Sequence, residues 1–111
     1  MENIDEEKVY LKNEDANIRL EGYGYYYLSC KEYGKACNYF EKAIKNITNW
    51  VDSEEKYLKL AEAHVALCQA KIYVDKNESQ KQITVSKSII EGFSWELKGY
   101  FINQLESIVT D

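Results

Sequence analysis

The chain has 111 residues, of which 45% are hydrophobic, and it contains ten tyrosines, five glycines and no proline. This suffices for one domain with a real core, and it argues against disorder and against a turn-rich β-sandwich. The net charge is −5 with a single arginine, Arg19, so the forked cationic contacts on which nucleic-acid affinity rests are missing and no direct nucleic-acid binding is expected.

The acidity sits at the front: residues 1–21 carry −4 of the net charge and residues 22–111 carry −1. Residues 1–12 are read as an acidic N-terminal tail or short helix, and residues 13–111 as a single helical domain. The acidic start lacks the apolar run of a signal peptide, and no stretch approaches the roughly 20 apolar residues that span a bilayer. A cytoplasmic protein with no membrane contact is therefore expected. In that setting the sequons at Asn46 and Asn77 are coincidental.

Asn13 is a plausible cap for a first helix that runs to about Cys30, with Glu14 and Asp15 at its positive end. Leu20, Tyr23, Gly24, Tyr27 and Leu28 recur on one face at the three-four spacing. A glycine inside a helix costs about 1 kcal/mol against alanine, so Gly24 needs a reason. A close approach by a second helix through Ala36 and Ala43 would supply one. The alternative is that Gly22 and Gly24 mark a loop and the helix starts at Tyr25.

Lys31 to Tyr33 form the turn, with Gly34 close behind. A second helix to about Asn46 carries Ala36, Tyr39, Phe40, Ala43, Ile44 and Ile47 on its apolar face. Asp52 with Glu55 has the form of a capping box for a third helix, Ser53 to about Val74. Its alanines, Ala61, Ala63, Ala66 and Ala70, make it slim enough to pack on two neighbours. Asp75 to Asn77 is a turn. A fourth helix runs from about Glu78 to Glu91, with Ile83, Val85, Ile89 and Ile90 apolar, and Gly92 breaks it. Ser94 then caps a fifth helix to about Val109. That helix is more apolar than one face needs, so it is expected to cap the open end of the stack or to form a homodimer face.

Between Asn17 and Trp50, the residues Leu20, Tyr23, Gly24, Tyr27, Tyr33, Ala36, Phe40 and Ala43 follow in an order and spacing that resembles a tetratricopeptide repeat. The proline that usually follows such a repeat is absent, and Thr48 stands in its place. The resemblance implies an all-α protein of antiparallel helical hairpins, about five helices with a C-terminal capping helix. A plain up-and-down bundle is the rival. It further implies a non-enzymatic module, an adaptor or regulator, that binds another protein or peptide in a helix-lined groove.

By that resemblance the first helix lines the groove with Ile18, Glu21, Tyr25, Leu28 and Ser29, and the third helix adds Leu58, Glu62 and Val65. Tyr23 and Tyr27 share a face and are expected in the core, which turns Tyr25 and Tyr26 elsewhere. Some tetratricopeptide domains clamp a partner's terminal carboxylate with cations at these slots. Here Glu21 and Tyr25 occupy them, so that activity does not carry over, and an acidic groove would prefer a basic or apolar peptide.

Two other functions compete. Asp5, Glu6, Glu7, Glu14 and Asp15 could let a small acidic protein imitate nucleic acid and inhibit a partner enzyme. His64 and Cys68, four apart on one helix, hold the minimum pair for cysteine catalysis. No glycine loop or helix start near Cys68 offers an oxyanion hole, and a mid-helix cysteine is usually a small buried hydrophobe. No enzyme activity, cofactor or metal site is expected. One histidine cannot readily complete a zinc site with Cys30, Cys37 and Cys68.

Overall fold

The computed structural model describes residues 14–108, and side-chain surroundings from residue 16 onward. Five helices follow one another: α1 (Glu14–Ser29), α2 (Tyr33–Thr48), α3 (Glu54–Lys71), α4 (Lys76–Glu91) and α5 (Lys98–Glu106). Each packs on the next, α5 also packs on α3, and no strand occurs among the described residues. The expected all-α arrangement of helical hairpins with a short C-terminal helix is the one observed. The expected cap Asn13, the 1–12 segment and Val109 lie outside the described residues.

Gly24 lies inside α1, so the loop alternative at Gly22–Gly24 does not hold. The close approach is real, but its partner differs from the expected alanines. A Cβ built on Gly24 would stand 2.6 Å from Cε1 of the fully buried Phe40. Ala36 instead joins Cys37 and Phe40 in a cluster with Ala66, Leu67 and Ala70 of α3. The aromatic ring of α2 therefore lies against bare backbone of α1, and the small residues of α2 serve the contact with α3.

Helix α1 ends in a Schellman motif. The Lys31 N–H donates to the Leu28 carbonyl at 3.0 Å and the Glu32 N–H to the Tyr27 carbonyl at 2.9 Å. Lys31 takes the left-handed backbone this requires, with φ of 63°, whereas Gly34 sits inside the first turn of α2.

Helix α3 is the centre of the molecule. Leu60, Ala61, Ala63, Val65 and Cys68 join one cluster with Ile83, Ile90, Phe93, Phe101 and Leu105, while Ala66, Leu67 and Ala70 join the other with α2. Four alanines keep its girth small enough for neighbours on both sides, as the composition implied. Its cap is Ser53, which accepts from the Lys56 N–H at 3.1 Å, not Asp52. Asp52 instead pairs with the Lys56 ammonium at 2.9 Å. The helix also stops at Lys71, short of Val74, because Asp75 folds back as the cap of α4.

Asp75 accepts from the Asn77 and Glu78 N–H groups at 2.9 and 3.1 Å, which starts α4 two residues earlier than the spacing predicted. Two orphan donors are satisfied by one carboxylate at the positive end of a helix. Asp75→Ala is expected to lower stability by about 1 kcal/mol, read as a shift of the urea midpoint at unchanged slope.

The C-terminal helix begins at Lys98, not after Ser94, and Leu97 at its cap position makes no side-chain cap. Aromatic stacking holds the connection down instead. Phe93 stacks on Tyr57 at 4.5 Å between ring centroids, and Trp95 stacks on Phe101 at 5.5 Å. These rings close the end of the α3–α4 hairpin, and Phe101 and Leu105 bury the inner face of α5.

Candidate functional site

Helices α1 and α3 both pack on α2, and side chains of the two come within electrostatic reach of each other. Glu21 and Tyr25 of α1 face Lys59 and Glu62 of α3. Asn17, 1% exposed, donates from Nδ2 to Glu21 Oε2 at 3.1 Å and so fixes that carboxylate. The Asn17 Oδ1 beside it has no hydrogen-bond partner. Burial raises the Glu21 pKa above the ordinary carboxylate range; the Asn17 hydrogen bond and Lys59 oppose that rise, and Glu62 adds to it. Burial also raises the Tyr25 hydroxyl, with Glu21 and Glu62 adding to the effect. Each of these groups feels the carboxylates across the groove, which places them in one electrostatic field.

Tyr25 remains 50% exposed while its ring stands edge-on to Phe40 at 5.0 Å. It is a rigid amphipathic surface: one edge is held by the core and the rest is open. One turn beyond Tyr25 along α1, Leu28, Tyr33, Gln69, Ile72, Tyr73, Ser107 and Ile108 line a cavity of about 520 Å³. The C-terminal ends of α1, α3 and α5 and the first residue of α2, Tyr33, supply that lining.

The eight residues expected in the groove divide. Glu21, Tyr25 and Glu62 come within electrostatic reach of one another, and Leu28 lines the cavity. Ile18, 62% exposed, and Ser29, whose hydroxyl donates to the Tyr26 carbonyl at 2.6 Å, lie on α1 toward solvent. Leu58 packs on the core and Val65 belongs to it, only 8% exposed. Sequence reasoning missed Asn17, Lys59 and the cavity residues Gln69, Ile72 and Ile108. Asn17 was within reach, since it stands four residues before Glu21 on the same face; Ile108 was not, because only the return of α5 across α3 brings it there.

Tyr23 is not a core residue. It is 52% exposed, and its ring meets Tyr39 of α2 at 5.2 Å. Tyr27 is partly buried and stacks on the same Tyr39 at 5.6 Å. Antiparallel helices thus share a tyrosine ladder along their outer edge, with the ammonium of Lys42 5.2 Å from the Tyr39 ring centroid.

The His64 and Cys68 side chains do not form a nucleophilic pair. Ser86 of α4 stands between them, with Oγ 2.7 Å from His64 Nδ1 and 3.7 Å from Cys68 Sγ. Gln82 Nε2 donates to the same oxygen at 3.1 Å. With its lone pairs taken by Gln82 and the thiol, the Ser86 hydroxyl donates its hydrogen bond to Nδ1, which is then the unprotonated nitrogen of a neutral His64. Burial lowers the His64 pKa to about 4 and raises the Cys68 thiol to about 11. A thiol so placed carries almost no thiolate at neutral pH, and Cys68 is fully buried. The cluster ties α3 to α4 by polar contacts; Ser79 adds to it by donating to the Cys68 carbonyl at 3.3 Å.

Among the described residues, no three His, Cys, Asp or Glu side chains gather as a metal site, and no helix is long and apolar enough to cross a membrane. The acids at Asp5, Glu6 and Glu7 lie outside the described residues. No family model matches the chain, nor does any curated protein or solved structure.

Proposed function

We propose that this is a non-enzymatic, cytoplasmic protein-binding module, resembling a tetratricopeptide domain, that holds a peptide segment of a partner in the α1–α3 groove as an adaptor or regulator. The observation that supports the reading is that Glu21 and half-exposed Tyr25 of one helix lie within electrostatic reach of Glu62 of another. Their charge favours a lysine or arginine of the partner, with the Tyr25 ring as a flat contact. Leu28, seven residues along α1 from Glu21, marks the cavity about 10 Å away. Side chains on one face of an extended chain recur every second residue, about 7 Å, so the preferred ligand carries a basic and an apolar side chain two or four positions apart.

Selection from a library of displayed random peptides tests this. The expected consensus has a basic residue and an apolar one two or four positions apart. Glu62→Lys should abolish the basic preference, and Tyr25→Ala should weaken the selected peptides at least about tenfold, with helical circular dichroism unchanged. Selected peptides that bind both variants as well as the native protein would refute the groove.

A further inference from the structure

We draw no further inference here: the strongest candidate, the apolar notch of about 370 Å³ that Arg19, Gly22, Tyr23 and Tyr26 line on the exposed side of α1, carries nothing because nothing in the structure shows what covers it.

Discussion

Gly24→Leu is expected to destabilise the protein by about 3 kcal/mol, although glycine is a poor helix former. A Cβ at this position already stands within 2.9 Å of three atoms of the Phe40 ring. That ring is fully buried and is walled by Tyr25 on one side and by the Ala66–Leu67–Ala70 cluster on the other. It has no open direction in which to move. The added bulk therefore parts α1 from α2 or forces Phe40 off its rotamer, and either cost exceeds the gain in helix propensity of about 1 kcal/mol. Phe40→Ala alone should cost about 3 to 5 kcal/mol through the cavity it leaves. In that background Gly24→Leu should be neutral or stabilising, because the new side chain fills the space. Urea unfolding of the four proteins gives the coupling directly. A Gly24→Ala variant more stable than the native protein by the full propensity gain would show that the ring is not pressed on the helix.

Acid should weaken the fold through His64. In the folded state burial holds its pKa at about 4, against an ordinary 6.5. The unfolded chain takes up the proton near pH 6.5 and the folded chain does not until near pH 4. Stability is therefore full above about pH 6.5 and falls as the pH drops through that window, by about 3 kcal/mol in all. The groups around the ring offer no relief, since Cys68, Gln82 and Ser86 carry no negative charge there. Glu21 acts in the opposite sense: its raised pKa gives a contribution present at low pH and lost as the pH rises. The quantity to measure is thus the difference between native protein and His64→Gln, from urea midpoints at several pH values. That difference should change by about 3 kcal/mol between pH 7 and pH 4, with His64→Gln the flatter of the two. Parallel profiles would mean that the imidazole is hydrated in the folded state.

Much of the fold was legible along the chain because helices announce themselves locally. The apolar spacing in 33–48 and 54–71, the lack of proline and the break at Gly92 gave five helices in the right order. Errors gathered at the ends. Ser53 and Asp75 took the capping roles because hydrogen-bond geometry at a helix start selects one residue among several candidates. Ser94 lost its role because stacking of Phe93 and Trp95 held the chain in an irregular path before α5.

The groove was half legible. Glu21, Tyr25 and Leu28 share a face of α1 by spacing alone. Val65 was misplaced because α3 is enclosed on both sides, and periodicity cannot say which side of an apolar helix stays open. Ser86 could have been paired with Ser79 and aligned beside Ile83 and Ile90, but its position between His64 and Cys68 needed the register of α4 on α3.

The amino-acid order by itself determined that this is a set of five helices with an acidic front, since spacing, propensity and charge act within a few residues. Only the tertiary structure decided that Phe40 lies on Gly24, that Ser86 separates an imidazole from a thiol, and that Gly22 is left facing solvent. Those outcomes depend on the level at which one helix packs against another, and that level is set by the summed fit of side chains from distant parts of the chain.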